Sequence, residues 1–397
     1  MQMKKFRETG FEKKQSTCPR IRDTFRNLRF HALPAVACVF VFSVSACSDT
    51  SKSDTEDAGV ELDAEHDSQV EWDGESPDGN NVLGVVWEEI PGNPQIHQPA
   101  CPAWNCLAHT DPWMAWDTDD NLLLWFSSGG SLGGPVVGRA TVDDDYRVTL
   151  DPDDSPVLML MDDVWDKYRE TVSLKWDDLN DRWIMWYLGY EISFFDDPAF
   201  GQIYSTDREG IEWERADEPI YRPETDSWDF AFITSPKFLE TPEGEWRLYY
   251  GGAGTTVGIG LLVSHDRGET WTPHPENPVF ERELGSWDEG VLGCTVLILN
   301  GRYMMWYTGY EEPLDLETTR MYIGLAFSED GIEWERSPLN PVVQPGEPGS
   351  WNDLRIVSPH IIVDKDGSLL MSAHGQSTAD IGISLGKLGF WRSANVD

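Results

Sequence analysis

Apolar and polar residues alternate along this chain in a pattern that repeats five times. Residues 183–187 and 303–307 are almost wholly apolar, and acidic or glycine-containing turns separate such runs. A short apolar run bounded by turn residues is typical of a β-strand buried on both faces. Each run follows a tryptophan at a nearly constant distance, and these anchors lie 61, 63, 59 and 64 residues apart: Trp104, Trp165, Trp228, Trp287 and Trp351. The pattern predicts five similar all-β units.

Further shared positions predict four strands in each unit. A Pro, Ser or Thr stands eight residues after every anchor, and a second, mostly aromatic position stands twenty-two residues after it, or twenty in the fourth unit. The fourth unit is shorter because Asn300-Gly301 signals a tight two-residue hairpin turn. A glycine marks the third strand and a proline opens the fourth: Gly138, Gly201, Gly260, Gly324 and Gly382, then Pro156, Pro219, Pro278 and Pro341.

The repeat predicts a five-bladed β-propeller, because a period near sixty residues with four strands per unit is the signature of a propeller blade. The fifth unit lacks its fourth strand, since the chain ends soon after Trp391. Trp87 and the segment Asn93-Pro94 repeat the fourth-strand pattern at the other end. We therefore expect residues 84–96 to complete the last blade and close the ring, so that residues 84–397 form one domain.

The preceding residues predict export and a lipid anchor. Residues 1–30 are basic, and the apolar run 32–46 is too short for a membrane span but suits a secretory signal. Val44-Ser45-Ala46-Cys47 resembles the lipobox of bacterial lipoproteins, which implies a signal peptide over 1–46 and lipid on Cys47; the alternative is an ordinary signal peptide. Residues 47–83, rich in Asp, Glu and Ser, predict a disordered tether. We expect the protein at the cell envelope, in the periplasm or on the outer-membrane surface.

The charge of the chain limits its partners. Seventy Asp and Glu against thirty Lys and Arg give a formal net charge of −40. This charge repels nucleic acid phosphates and anionic headgroups, so we expect no nucleic acid partner and membrane contact only through the lipid. Carbohydrate, as a neutral ligand, is compatible with it. We expect a monomer.

Cysteine usage argues against a structural zinc site, because the sequence contains no Cys-x-x-Cys pair. Cys101 and Cys106 are close enough in sequence to form a disulfide in an oxidising compartment. A bond between Cys106 and Cys294 is the alternative.

Positions at which one unit differs from the others are candidates for function, since shared positions reflect architecture. By this criterion Asp166, Asp229 and Asp288, which follow their anchors, are structural and would cap the turn before the innermost strand. Seven residues after the anchor only one unit has a carboxylate: the residues are Asp111, Val172, Ser235, Cys294 and Ser358. Five residues after it only Glu170 is acidic, against His109, Ile233, Leu292 and Ile356.

Basic and aromatic residues of the same strands are candidates for substrate binding. Most of the nineteen tryptophans recur at shared positions and mark the core, whereas Trp113 and the aromatics Phe194, Phe195 and Phe200 do not recur. The predicted binding residues are His109, Trp113, Arg169, Lys237, Arg355 and His360.

Two carboxyl groups facing a cleft are the minimum for cleaving a glycosidic bond. One stays ionised as base or nucleophile, and the other stays protonated as the acid for the leaving oxygen. Asp111 suits the first role and Glu170 the second. Arg169 or Arg355 could keep Asp111 ionised. The alternative is a channel lined by paired charges and water.

The five units, the segment Ala108-His109-Thr110-Asp111-Pro112 and the endings such as residues 327–334 resemble the five-bladed propeller glycoside hydrolases. These include the arabinanases and β-xylosidases of family 43, the invertase and levansucrase group, and the β-mannoside phosphorylases. The resemblance covers about residues 84–397. It implies that Asp111, directly before a proline in the first blade, is the base or nucleophile.

The chain also departs from that family pattern. The second Asp of the family falls on Val172 and the acid Glu on Thr234, so two of three signature carboxylates are absent. Glu170 would replace the acid from a shifted position, with the other candidates being Asp229, Glu289 and Asp353. The resemblance requires no cofactor, although a Ca²⁺ ion near His360 would match many relatives.

Three functions follow from these patterns. The first is a glycoside hydrolase acting on oligo- or polysaccharide outside the cytoplasm. The second is a glycan-binding lipoprotein without catalysis, which the absent carboxylates favour. The third is a propeller that binds other proteins. Fold alone does not decide among them.

Overall fold

A computed structural model describes residues 86–96, 99, 103–152, 155–162, 164–192, 197–315, 317–381 and 386–395, which belong to one compact unit. Within these ranges the chain is all β except for one short 3-10 helix, Thr378–Asp380. No helix in the described ranges has the length and apolar character needed to cross a membrane. The predicted signal peptide, Cys47 and the tether lie outside them, as do Cys101, Phe194, Phe195 and Gly382.

Twenty strands follow one another along these ranges. They are β1 (Trp87–Glu89), β2 (Ala108–Trp116), β3 (Leu122–Gly129), β4 (Val136–Val142), β5 (Val148–Leu150), β6 (Tyr168–Asp177), β7 (Arg182–Tyr190), β8 (Ala199–Tyr204), β9 (Phe232–Glu240), β10 (Trp246–Ala253), β11 (Val257–Ser264), β12 (Thr272–Pro273), β13 (Phe280–Glu281), β14 (Gly290–Leu299), β15 (Arg302–Tyr310), β16 (Met321–Ser328), β17 (Glu335–Arg336), β18 (Arg355–Val363), β19 (Ser368–Gln376) and β20 (Lys387–Asn395).

The strands form sheets that are not closed into a barrel. Their orders are β2-β3-β4-β5, β6-β7-β8, β12-β11-β10-β9 with β13 on β11, and β1-β20-β19-β18-β16-β15-β14 with β17 on β16. Paired strands within a sheet run antiparallel, except that among the described residues a parallel bridge between Met321 and Arg355 joins the two halves of the largest sheet. The first strand after each anchor contacts its counterparts in two other units: β2 contacts β6 and β18, β9 contacts β6 and β14, and β14 contacts β18.

Large aromatic side chains fill the space between consecutive sheets. Trp186 of β7 is completely buried and stacks on Phe238 of β9, with ring centroids 4.5 Å apart and the planes almost parallel. Such a pair stabilises a fold by about 0.5–1.5 kcal/mol beyond the area it buries. The apolar second strands predicted from the sequence therefore form the core between neighbouring sheets.

The aspartate after the anchor was predicted to cap a turn, but it also accepts a hydrogen bond from the second strand of its unit. Asp166 accepts a hydrogen bond of 2.7 Å from the hydroxyl of Tyr187, and Asp229 and Asp288 do the same for Tyr250 and Tyr307 at 2.9 Å. These tyrosines occupy the second aromatic position of their units. Where Asn105 or Asn352 replaces the aspartate, Phe126 or Ala373 replaces the tyrosine. The residue after the anchor and the second aromatic position therefore change together, because the aspartate accepts the hydrogen bond that the tyrosine donates.

A glycine on the third strand gives the second aromatic side chain its space. A Cβ on Gly201 would lie 2.2 Å from the Tyr187 ring, and one on Gly260 would lie 2.4 Å from the Tyr250 ring. In the fifth unit Gly389 pairs with Ala373 and takes this position, so the assignment of Gly382 to it is wrong. Trp351 lies against Gly389, 2.7 Å from where a Cβ would be.

The segment before the first unit lies beside the last strand. Trp87 of β1 pairs with Ser393 of β20, and the pairing is antiparallel. The side chain of Asn93 makes two hydrogen bonds of 2.9 and 3.0 Å with the backbone of Phe390. Asn277 bonds Leu261 in the same way, and Asn340 bonds Leu325. Residues 87–93 therefore occupy the place that the fourth strand has in the third and fourth units.

Candidate active site

Four of the innermost strands are kinked at the same place. Their kink residues adopt the left-handed conformation, with φ of 48° at Asp111, 53° at Thr171, 51° at Ser235 and 54° at Ser358. The pairing register with the second strand shifts at each of these points. A left-handed residue other than glycine costs about 1–3 kcal/mol and persists only where its surroundings hold it.

Hydrogen bonds between units hold these kinks. The backbone N–H of Asp111 donates to Nδ1 of His374, and that of Thr171 donates to Oγ of Ser127. The N–H groups of Ser235 and Ser358 donate to the hydroxyls of Thr171 and Thr308. In β14 the register shift falls at Gly293, where a Cβ would lie 2.7 Å from Cβ of Ser235. Each kink is thus stabilised by a neighbouring unit.

The kinks change the alignment of the second unit. Counting from the anchor places Val172 at the position of Asp111, but the structure places Thr171 there, since the kink of β6 comes one residue earlier. Glu170 is therefore the residue before the kink, the position of Thr110 in β2 and Thr234 in β9. Glu170 and Asp111 thus differ by one register position on adjacent strands. Glu170 comes just before the kink of β6, and Asp111 is itself the kink residue of β2.

Asp111 is completely buried. Its Oδ1 accepts a hydrogen bond of 2.6 Å from Oγ of Ser358 and lies 4.0 Å from Nδ1 of His374. Its Oδ2 has no hydrogen-bond partner among the described residues. A buried carboxylate oxygen without a donor is costly in a folded protein, so it indicates a position where a ligand or water binds.

Glu170 is 4% exposed, and its Oε1 accepts a hydrogen bond of 2.8 Å from the hydroxyl of Tyr190. Burial, with the negative charge of Asp111 as second cause, raises its pKa to about 8, although the Tyr190 hydrogen bond opposes the rise. The two carboxyl groups are therefore close enough to interact, and Glu170 is protonated near neutral pH. A carboxyl group that is protonated near neutral pH suits a general acid.

Arg169 does not contact Asp111. Its Nη2 donates to the backbone oxygen of Met159 at 2.8 Å, and its Nε lies 3.9 Å from Asp166. Arg169 therefore braces the turn before β6, which differs from the expected role of keeping Asp111 ionised.

Arg355 is a buried cation whose charge acts on His374. Burial lowers its pKa to about 10, with the charge of Asp315 opposing. Burial also lowers the pKa of His374 to about 4; Asp111 opposes this change, and Arg355 and Lys237 contribute to it. His374, which lies 4.0 Å from Asp111, thus connects Arg355 with the candidate site.

Three predicted binding residues form one layer behind the kinks. Trp113, Lys237 and His360 each follow the kink of their strand at the same register position. The Trp113 and His360 rings are 3.8 Å apart, and Nζ of Lys237 lies 5.3 Å from the centroid of the Trp113 ring. All three are buried, so Trp113 is a core residue and offers no open face for a sugar.

His109 and Phe200 are also buried. The His109 ring meets Phe126 edge-on at 5.3 Å, and burial lowers its pKa to about 3. Neither ring nitrogen has a hydrogen-bond partner among the described residues. Phe200 packs against Tyr250 at 5.3 Å, so it belongs to the core and is not a ligand contact.

Cys106 is disulfide-bonded, whereas Cys294 is a buried free thiol, so the alternative pairing of these two is wrong. Among the described residues no group of three or more His, Cys, Asp or Glu could hold a metal ion. Nδ1 of His360 already accepts the N–H of Met114 at 2.9 Å. A calcium ion near His360 therefore stays a prediction.

Sequence reasoning missed three residues of the site: Tyr190, Ser358 and His374. Ser358 precedes Pro359 as Asp111 precedes Pro112, and His374 is the single basic residue of β19. Both signals were visible in the sequence. Tyr190 carried none, because Tyr310 occupies the same position in the fourth unit.

No protein-family model and no curated protein sequence matches the chain. Solved structures match its fold. A glycosyl hydrolase from Bacteroides ovatus is 14% identical with a TM-score of 0.60, covering 80% of this chain and 95% of that one. A structure described as a glycoside hydrolase is 18% identical (TM-score 0.59), covering 74% and 90%. One from work on the GH130 family of mannoside phosphorylases, which contains hydrolases of β-1,2 mannosidic linkages in Candida mannan, is 15% identical (TM-score 0.59), covering 80% and 95%. Similarity at this level of identity shows a common fold.

Proposed function

We propose that this protein is a glycoside hydrolase in which Asp111 and Glu170 cleave the glycosidic bond of an oligo- or polysaccharide. One observation carries the proposal: two buried carboxyl groups on adjacent innermost strands interact, and the pKa of one is raised to about 8. A carboxyl group that keeps its proton near neutral pH suits the acid, which leaves Asp111 for the role of base or nucleophile. The fold shared with glycoside hydrolases supports the same chemistry.

We infer a closed five-bladed propeller as the architecture. The cyclic contacts among β2, β6, β9, β14 and β18 support five blades. The pairing of β1 with β20, together with the Asn93 hydrogen bonds to Phe390, supports closure by residues 84–96. In this arrangement the four kinks and the register shift of β14 surround a common axis, and Asp111 and Glu170 come from the first two blades.

In the proposed reaction Glu170 gives its proton to the oxygen of the leaving sugar. Asp111, ionised and held by the Ser358 hydroxyl, uses its unpartnered Oδ2 either to attack the anomeric carbon or to deprotonate a water that attacks it. In the first case a glycosyl ester forms and water then hydrolyses it, with Glu170 now acting as base. A separation of about 5–5.5 Å between the carboxyl groups gives retention, and about 6.5–9.5 Å gives inversion.

We further propose that lipid on Cys47 holds the protein at the cell envelope, with the acidic segment 47–83 as a spacer. The sequence pattern at Val44-Ser45-Ala46-Cys47 supports this location. A polysaccharide too large to enter the cell would then be a suitable substrate. Mass spectrometry of the purified protein tests the anchor, because a lipid on Cys47 adds a defined mass to the N-terminal peptide, and an unmodified Cys47 contradicts it.

The test of the activity is a panel of aryl glycosides and polysaccharides, assayed with the purified protein beside Asp111→Asn and Glu170→Gln. We expect each variant to lose about 10²–10⁴-fold or more in kcat/KM, the usual contribution of an acid or base. Asp177→Asn is the matched control, since Asp177 is a buried carboxylate at the other end of β6. Turnover within a few-fold of the parent in either site variant would reject the mechanism.

A second function, glycan binding without catalysis, also has a specific observation in its favour. In the structural alignment Thr171, and not Val172, stands with Thr234 where the resembling families have carboxylates. Binding of a glycan that is never cleaved, with equal affinity in the parent and in Glu170→Gln, would support this function over hydrolysis.

A further inference from the structure

The residue that holds the Asp111 kink differs in chemistry from its counterparts in other units. Ser127, Thr308 and His374 occupy the same register position on the second strand of their units, opposite the residue that precedes the kink or register shift. Each accepts a hydrogen bond from the backbone N–H of a kink residue in another unit, at 2.8, 2.9 and 3.2 Å respectively. The acceptor is thus a hydroxyl in the first and fourth units, and an imidazole where the kink residue is the carboxylate Asp111.

Packing fixes the orientation of the His374 ring. The side chain is 3% exposed, and a Cβ on Gly386 would lie 2.9 Å from its Cδ2. Gly386 is itself joined to β2, because its backbone oxygen accepts the N–H of His109 at 3.0 Å. The Cδ2 edge of the ring therefore faces Gly386, and the Nδ1 edge faces Asp111.

The hydrogen bond from Asp111 determines where the ring of His374 carries its proton. An imidazole nitrogen that accepts an N–H has no proton of its own, so the neutral ring is protonated on Nε2. Burial lowers the pKa of His374 to about 4, and the charge of Asp111 opposes this change. The ring is therefore neutral at pH 7. Nδ1 lies 4.0 Å from Oδ1 of Asp111, beyond hydrogen-bonding distance, so the contact between the two residues is made through the backbone.

An acceptor without a proton has a specific consequence at this kink. A hydroxyl at the same position can accept the backbone N–H and also turn its own proton towards a nearby carboxylate. Nδ1 of His374 has no proton to give. Oδ1 of Asp111 therefore has its hydrogen bond from Ser358, and Oδ2 has no donor among the described residues. One oxygen of the carboxylate stays available for reaction.

We propose that His374, as the Nε2–H tautomer, is a positioning residue that fixes Asp111 at its kink and leaves Oδ2 of the carboxylate without a donor. The inference rests on the proposed function for its catalytic meaning, whereas its effect on the backbone of Asp111 is independent of that function. Misplacing a catalytic group by about 1 Å reduces a rate roughly 10²-fold. Because the hydrogen bond goes to the backbone of Asp111, its loss should reduce kcat and leave KM nearly unchanged.

The test compares two replacements of His374. His374→Leu removes the acceptor, whereas His374→Asn keeps an oxygen on Cγ, where histidine has Nδ1. We expect kcat of His374→Leu to fall about 10²-fold with KM within a few-fold of the parent, and kcat of His374→Asn to stay within about tenfold. The matched control is Ser205→Ala, which should keep kcat within a few-fold. Ser205 is also a buried acceptor of a backbone N–H, that of Trp183, at the end of β7 far from the kinks.

The tautomer is measured in the parent protein, so the inference stays testable if His374→Leu does not fold. Nitrogen-15 NMR of the imidazoles, with His374→Asn identifying the signals of His374, should show a proton on Nε2 and none on Nδ1 at pH 7. A proton on Nδ1 would overturn the inference. Equal losses of kcat in His374→Leu and His374→Asn, or an equal loss in Ser205→Ala, would overturn it as well.

Crystal structures of the two His374 variants separate this inference from the proposed function. A strained backbone conformation persists only where its surroundings hold it. Asp111 should therefore leave the left-handed region, where its φ is 48°, in His374→Leu and remain there in His374→Asn. This backbone change in a protein whose parent shows no turnover would sustain the positioning of Asp111 and reject hydrolysis. Turnover in the parent, with the kink and kcat unchanged in His374→Leu, would reject the positioning and sustain hydrolysis.

Discussion

Ser358 donates a hydrogen bond of 2.6 Å to Asp111 although 247 residues separate them in the chain. Each is the left-handed kink residue of its strand, with φ of 54° and 48°. The contact therefore joins the first and last units at the point where both backbones are strained. Because the two kinks face each other, the hydroxyl is held in place to stabilise the Asp111 carboxylate.

Replacing Ser358 with alanine removes this hydrogen bond. A hydrogen bond to a charged group contributes about 1.5–3 kcal/mol, so we expect kcat/KM of Ser358→Ala to fall roughly 10- to 150-fold. The control is Ser372→Ala, since Oγ of Ser372 is buried and has no hydrogen-bond partner among the described residues. Equal kinetics of the two variants on the same substrate would show that Ser358 does not support Asp111.

The rate should depend on pH through Glu170. Because the acid must carry a proton and its pKa is about 8, kcat/KM should fall as pH rises through about 8. The measurement is the pH profile of kcat/KM on two substrates. The leaving group of the first is activated and needs little protonation, whereas the leaving group of the second must be protonated. The basic limb should be strong only for the second substrate. A basic limb of equal depth with both substrates would mean that a group other than Glu170 causes it.

Tyr190 lowers the pKa of Glu170 through its hydrogen bond. In Tyr190→Phe that stabilisation of the ionised form is lost, so the basic limb should move up by roughly one pH unit. Tyr310→Phe is a matched control, because Tyr310 has the same register position in the fourth unit and its hydroxyl has no hydrogen-bond partner among the described residues. If both variants kept the parent profile, Tyr190 would have no influence on the acid.

Stability should also depend on Glu170. The folded protein keeps this proton up to pH about 8, whereas the unfolded chain releases it near the ordinary value of 4.5. Between these values the folded state binds more protons, so the free energy of unfolding should fall as pH rises, by about 1.4 kcal/mol per pH unit from this group. Glu170→Gln lacks this loss.

Urea unfolding at pH 5 and pH 7.5 measures the effect. The free energy of unfolding of Glu170→Gln should exceed that of the parent at pH 7.5 by a few kcal/mol more than at pH 5. An equal difference between the two proteins at both pH values would mean that folding does not raise the pKa of Glu170.

Much of the architecture was predictable because it rests on local patterns. Asp166 and Tyr187 recur as a pair in three units since the hydrogen bond between them is part of each unit. The prediction for Gly382 was wrong for a related reason. Spacing in the last unit differs from that in the others, and only the pairing of Gly389 with Ala373 shows which glycine faces the second strand.

The candidate site was predictable only in part. Asp111 stood out because it is the single carboxylate at its position, and Glu170 because it is the single acid at another. Their interaction was not predictable, since a kink that comes one residue earlier moves every following side chain to a different face. The kinks of β2 and β9 place Trp113 and Lys237 in the interior layer, where neither was expected.

The sequence by itself determined the five repeated units, their apolar strands and the singular carboxylates, because side-chain period and turn chemistry are local properties. The tertiary structure alone decided which of those residues meet. Ser358 and His374 approach Asp111 from two other strands, and their distances depend on kinks held by hydrogen bonds between units. Such contacts arise from packing among distant segments, and no spacing within one unit encodes them.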